Sequence, residues 1–397
     1  MLQVLHGHTA CTHVVHFGRW TFTDSAYCPA RKRLPLRVDH RLLEQLADAA
    51  RKATAASSRW VGHRVWVVDG SSVSMPDEPE RQAHFGRPGN RRAGCGFPVA
   101  KWLALFDVAT GMLLRSSTTP LRSHEMGRCA GISHGPGPGD VVLGDRGFRS
   151  YAHPALLVQR SPHGVFRVHQ GQIVDFRPGR PQARRGPSKD SAAPPYSRRV
   201  LAQGDSDQIV VWSKPKLKPV WMTAEAYAAL PEGITVRELR YRVETPGSRV
   251  GEVTIVATLL DAKVVPAEAL ADLSFRRWGV EVNSKHLRTT MAMDVLRRET
   301  VAGVRKGLAM FAPVSDLGRS VMVASGRVQG VAPGRISVIA TIRWSIGTEG
   351  GDVSVLVVNP SRPGRVEPRV KKRRPKRYYF MTKPRSELRE LLPMKGF

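Results

Sequence analysis

Two aspartates and a glutamate occupy positions from which side chains could do chemistry. Asp69 closes the apolar run Val65–Val68 and is followed by Gly70, while Asp145 closes Asp140–Gly144 and opens Asp145-Arg146-Gly147-Phe148. Short β-branched runs closed by Asp and Gly predict buried strands with a turn after each. If those strands are neighbours, both carboxylates project from one edge of a sheet. An Asp that merely starts a turn leaves the same local pattern. Glu281 lies in SFRRWGVEVNSKHLRTT, where Phe275, Trp278, Val282 and Leu287 recur at helical spacing. At ~100° per residue, Arg277, Glu281, Lys285 and Arg288 share one face, so one acid sits among three cations. Exposed ion pairs from Arg277 to Glu281 and from Glu281 to Lys285 fit this spacing. A metal-binding acid flanked by phosphate-holding cations fits it equally, and spacing does not choose between them.

The chemistry such acids could serve is phosphoryl transfer on a nucleic acid. The phosphate under attack is surrounded by negative charge, and two magnesium ions about 3.5–4 Å apart can activate the attacking oxygen and stabilise the leaving one. Magnesium takes hard oxygen ligands and keeps several waters, so a few carboxylates suffice. The overall charge points the same way. Across 397 residues, 62 Lys and Arg stand against 33 Asp and Glu, a net charge of +29 that implies a polyanionic partner. Arg-rich codon usage could raise the count, but it would not gather the cations into clusters.

Other classes are disfavoured. Cys11, Cys28, Cys95 and Cys129 form no C-x-x-C pair, which argues against a disulfide framework and a structural zinc site. No G-x-S-x-G, P-loop or H-E-x-x-H is present. No apolar run reaches the ~18 residues of a membrane span, and the N-terminus lacks a signal-peptide layout. A cytoplasmic protein associated with the nucleoid is expected. His13, His16 and His63 have no partner at metal-ligand spacing, and Asp107, Asp140 and Glu125 read as turn or helix-start residues.

The elements that must position the acids follow from periodicity. Leu42–Ala55 reads as an amphipathic helix; strands are predicted at Val65–Val68, Val99–Phe106, Met112–Ser117, Asp140–Gly144 and Val165–His169. A hairpin turn at Ala109-Thr110-Gly111, a helix from His124-Glu125 and another at Tyr151–Gln159 complete this part. That order is the order of a ribonuclease-H-like core, although many α/β domains contain such a run. Phe176–Arg199, with seven basic side chains and one acid among Pro and Gly, is expected to be a loop. Strands at Gln208–Trp212, Thr235–Val243 and Glu252–Leu259 suggest a β-rich insertion, in which Trp212 and Trp221 stand near Lys214, Lys216 and Lys218. Aromatics among cations can stack on bases, but packing within the insertion is the plainer role. The helical pattern returns at Pro266–Thr290, and Arg362–Lys376 reads as a basic solvated arm.

The stretches WVVDGSSVSMPD (Trp66–Asp77), GDVVLGDRGF (Gly139–Phe148) and LADLSFRRWGVEVNSKHLRTTMAMDVLR (Leu270–Arg297) resemble, in order and interval, motifs of bacterial insertion-sequence transposases of the DDE type. The branch resembled carries a β-stranded insertion before the last acid and a Tyr-Arg-Glu-Lys signature around it. Asn359–Lys376 is similar to that branch's basic tail, and the likeness runs from about Ser25 to the end.

The resemblance implies an α/β fold: a ribonuclease-H-like mixed sheet core with helices, interrupted by the β-rich insertion. Residues 1–60 would be a truncated helical region, 61–170 the first part of the core and 171–262 the insertion. Residues 263–325 would carry the last core helices with Glu281, and 326–397 the C-terminal region with its basic tail. It implies that Asp69, Asp145 and Glu281 are catalytic and bind Mg²⁺ or Mn²⁺, and that Arg277, Lys285 and Arg288 bind DNA. It implies end cleavage and strand transfer on transposon ends and target DNA by a homodimer, away from membranes. A remnant that only binds DNA is the alternative. The signature's Tyr falls at Ser274 and its Lys at Arg288. Arg still pairs with phosphate, but Ser offers no aromatic surface. Restoring Tyr at 274 is therefore expected to raise end cleavage by about tenfold.

Overall fold

The apolar run that begins at Val65 does not turn at Asp69-Gly70. The computed structural model describes residues 2–5, 11–17, 21–53, 59–89, 95–121, 123, 135–145, 150–168, 172, 174–177, 195–243, 251–294, 296, 298, 300–347, 353, 355–359 and 383–390. In it, the run continues as β1 (Val65–Ser74), preceded by α1 (Asp24–Arg33) and α2 (Leu36–Ala53). After α3 (Pro79–Phe85), β2 (Val99–Asp107) pairs antiparallel with β1 from Trp66 to Ser74, with Asp69 opposite Ala104 and Gly70 opposite Leu103. The ladder gives partners to the backbone groups beyond Asp69, and Val73 and Met75 are fully buried. Pairing and burial outweigh the local preference of Asp-Gly for a turn.

Next come β3 (Leu113–Pro120), β4 (Val141–Gly144), α4 (Ala152–Arg160) and β5 (His163–Arg167). β1, β2 and β3 form an antiparallel meander, while β4 lies parallel to β1 and β5 parallel to β4. This meander followed by two parallel strands is the ribonuclease-H-like arrangement. The helix expected from His124-Glu125 lies outside the described residues.

The inserted strands do not form a separate sheet. β6 (Tyr196–Gly204), β7 (Asp207–Ser213), β8 (Gly233–Arg242) and β9 (Glu252–Ala257) extend the core beyond β5, in the order β3-β2-β1-β4-β5-β9-β8-β7-β6. A short α5 (Ala224–Ala228) lies between β7 and β8. β6 begins within the Pro- and Arg-rich segment read as loop, because Tyr196–Arg199 finds a partner in β7; residues 178–194 lie outside the described residues. Trp212 is buried and its indole N–H donates to Glu238 Oε1 at 3.0 Å, while Trp221 packs on the same small core, so both serve the insertion's interior.

Side chains alternate across a sheet with period two. Val65, Val67, Val141, Leu143, Val165, Leu239, Val253 and Ile255 therefore share one face. That face is covered by α6 (Ala267–Lys285) and the long α7 (Val301–Val328), which supply Leu270, Leu273, Val280, Leu308 and Phe311. Trp66, Val68, Val142, Leu157 and Phe166 fill the opposite side. The helix expected to run unbroken to Thr290 changes character at His286, where His286–Thr290 forms a π-helical turn. α8 (Val338–Gly347) packs near the end of α7. Among the described residues, no helix is long and apolar enough to cross a membrane.

One pH response follows from the β4–β5 edge. Burial lowers the His163 pKa, and the neighbouring His63 ring, 5.5 Å away, lowers it further. A lowered folded-state pKa means that the unfolded chain binds the proton more readily. Stability is therefore fully present above about pH 6.5 and declines as pH falls through the folded value. Denaturant midpoints measured from pH 7.5 to 5 should fall, and His163→Gln should reduce that fall.

Candidate active site

β1 and β4 are adjacent and parallel, with Val68 level with Gly144. Asp69 and Asp145 follow these residues, so they stand at the same height on the C-terminal side of β4. Period-two alternation turns both toward the face that α6 covers. Asp69 stays inside its strand, whereas Asp145 follows the last residue of β4.

From above, α6 presents Ser274, Arg277, Glu281 and Ser284 on successive turns. The buried Ser284 hydroxyl donates to Asp69 Oδ2, tying the helix to β1. Arg277 Nη1 donates to Glu281 Oε1 at 2.7 Å, and its Nη2 lies 3.9 Å from Asp145 Oδ1. The Arg277 side chain is 8% exposed, so it works as a buried hub between two acids rather than as a surface cation. Asp145 as a side chain is 41% exposed, yet its Oδ1 atom is buried and accepts no hydrogen bond.

The electrostatics are those of crowded acids. Burial pushes the Asp69 carboxyl above its usual range; the Ser284 hydrogen bond opposes this, the Glu281 charge adds to it, and Arg277 and Arg288 pull it back. Arg288 sits on the π-turn, and its Nε atom is buried without a hydrogen-bond partner. Lys285 is exposed, so the cations read as one face in the sequence do not share one environment.

The three acids thus meet around Arg277, with Asp69 and Glu281 close enough to feel each other's charge. Among the described residues, no group of three or more His, Cys, Asp or Glu is gathered tightly enough to hold a metal ion. The donor chemistry nevertheless suits a hard divalent cation: three carboxylates, one with a buried oxygen that accepts no hydrogen bond. Ser284 was not singled out from sequence, although its place one turn after Glu281 on the apolar side was a usable signal. Asp107 and Asp140 are structural: Asp107 Oδ1 accepts from the Ala109 N–H at 2.7 Å, and Asp140 Oδ2 from the Trp66 indole at 2.8 Å. Asp77, inside the first motif, is buried and paired with Arg87 at 3.2 Å. Glu125 lies outside the described residues.

The model of the transposase DDE domain family matches residues 60–312, a span that includes all three acids. Transposase InsG for insertion sequence element IS4, of Escherichia coli (strain K12), is 23% identical over 382 residues, covering 89% of this chain and 77% of that protein. Putative transposase InsZ of the same organism is 26% identical over 102 residues, 25% of this chain and 34% of that protein. Among solved structures, the piggyBac transposase synaptic complex with hairpin DNA gives a loose likeness. Its TM-score is 0.36 at 11% identity, over 72% of this chain and 54% of that one.

Proposed function

This chain belongs to the transposase DDE domain family, a family of DNA transposition, and from that premise we propose that it cleaves DNA at transposon ends and joins the freed strand to new DNA. The observation that carries the reading is the level placement of Asp69 on β1 and Asp145 just past the end of the adjacent, parallel β4, beneath the helix bearing Glu281. We assign these three carboxylates as the ligands of Mg²⁺ or Mn²⁺. A divalent cation bound there would activate the attacking oxygen and offset charge on the leaving one.

The chain's own residues have separate tasks. Ser284 holds Asp69 in a fixed orientation and ties the helix to the sheet. Arg277, already between Asp145 and Glu281, restrains both acids and offers its guanidinium to a phosphate oxygen. Arg288, with a buried Nε that makes no hydrogen bond, is a second phosphate holder. Lys285, exposed on the same helix, is assigned to the DNA further from the cut. The net charge of +29 supplies the general attraction to duplex DNA, and a homodimer would bring two ends together.

Incubating the protein with DNA that carries the element's own flanking ends tests this reading. Nicking at the end is expected with Mg²⁺ or Mn²⁺ and not with EDTA. Binding without cleavage under every metal condition would instead identify a DNA-binding protein. Cleavage with no preference for the ends, and no strand transfer, would identify a nuclease on the same fold.

A further inference from the structure

Ser274 lies one turn before Arg277 on α6 and is only 8% exposed, so something already covers it. One residue on the side that α6 covers comes from the insertion. On β8, Leu239 is paired with Ile255 of β9, which is paired in turn with Arg167 at the end of β5. Tyr241 stands one pleat beyond Leu239, opposite Val253. Counting by twos, Leu239, Tyr241, Val253 and Ile255 share the face of Val165, and Tyr241 packs against the core that contains Leu270 and Leu273 of α6. Along the same edge, Gly144 is level with Phe166, so Arg167 is level with Asp145. The Tyr241 phenol reaches the Ser274 side chain, with the guanidinium groups of Arg277 and Arg167 close enough to act on it.

Two hydroxyls and two guanidinium groups thus converge beside three carboxylates. Hydroxyls that flank fixed cations are donors for an anion, and the anion that must approach such acids is a backbone phosphate. We infer that Tyr241, together with Ser274, Arg277 and Arg167, forms a phosphate-binding subsite for the DNA strand next to the carboxylates, its phenol delivered by inserted strand β8 rather than by α6. The inference rests on the proposed function and extends it: the insertion contributes a residue to the site. It also reverses the expectation for position 274. Ser274 is only 8% exposed and Tyr241 packs against the same core, so Ser274→Tyr adds a second ring where little room is left, a change that destabilises.

The test combines Tyr241→Phe with end-DNA duplexes in which single phosphates near the cut are replaced by neutral methylphosphonates. Affinity is measured in Ca²⁺ at constant salt, and cleavage in Mg²⁺. In the parent, one methylphosphonate position should weaken binding and cleavage by about tenfold, the scale of a hydrogen bond to a charged group. Tyr241→Phe should show the same loss on unmodified DNA and no further loss at that one position. A Tyr241→Phe protein that behaves as the parent, or whose loss adds to that of every methylphosphonate, would overturn the subsite. A companion pair checks the packing: Ser274→Tyr should lower the melting temperature and cleavage, and Ser274→Tyr with Tyr241→Ser should recover both. Recovery of neither would also count against it. Asp69→Asn run alongside keeps the two failures apart. If Asp69→Asn still cleaves, the functional reading fails; if it is inactive while the methylphosphonate losses simply add, only the subsite fails.

Discussion

Asp69→Asn is expected to abolish metal-dependent nicking, a loss on the order of a thousandfold or more and so ~4 kcal/mol of transition-state stabilisation. DNA affinity should stay within about twofold, because phosphate contacts come from cations and backbone amides. Asn has the size of Asp and keeps a carbonyl oxygen that can accept the Ser284 hydroxyl, so the tie between α6 and β1 survives. What disappears is one negative charge from a crowded group of acids. The melting temperature should therefore not fall, because the substitution removes a charge whose burial opposes ionisation. Cleavage in a Mg²⁺ and Mn²⁺ titration, affinity by fluorescence anisotropy and thermal unfolding read the three quantities separately. Cleavage at the parent's rate by a folded Asn variant would move the site elsewhere.

The second large effect concerns stability. Arg237 on β8 is 1% exposed. Its Nε donates to Asp207 Oδ1 at 2.8 Å, its Nη2 to Asp207 Oδ2, and its Nη1 to the Val265 carbonyl at 2.6 Å. Val265 lies two residues before α6 begins, so this one side chain fastens the inserted strands to the root of the helix bearing Glu281. Arg237→Met leaves a buried carboxylate and a carbonyl without partners, and should cost about 3–5 kcal/mol. A guanidinium chloride titration should show a lower midpoint. End cleavage should fall even where the protein is folded, since the helix loses its anchor. Arg237→Met with Asp207→Leu should regain part of the stability, because no uncompensated charge then remains. A single variant as stable as the parent would mean that the pair contributes nothing net.

Both effects depend on features that differ in how far the sequence reveals them. Local pattern carried the element types: apolar runs at Val65, Val99 and Val141 became strands, and the spacing around Glu281 became a helix. It carried the ends less well. Asp69-Gly70 reads as a turn in isolation, yet β1 runs through it because a partner strand was available. Tyr196–Arg199 reads as loop for the same reason in reverse, its partner β7 being out of view of any local window. The shared face of Arg277, Glu281, Lys285 and Arg288 was legible as spacing, but not the burial of Arg277, the exposure of Lys285 or the π-turn that carries Arg288.

What the sequence determined by itself was the chemistry on offer: two aspartates each closing a short apolar run, an acid among cations on a helix, and a strongly basic chain. The alternation of side chains also determined the face each would take once its strand existed, since that period belongs to the backbone. Tertiary structure alone decided which strands are neighbours and in what register. That choice set Asp69 level with Asp145, seated Ser284 against Asp69, and brought Tyr241 of the insertion to Ser274. The physical reason is range. Dihedral preference and periodicity act over a few residues, whereas strand pairing and helix docking are decided by the shared burial of Val67, Leu143, Val165, Ile255 and Leu273 in one core.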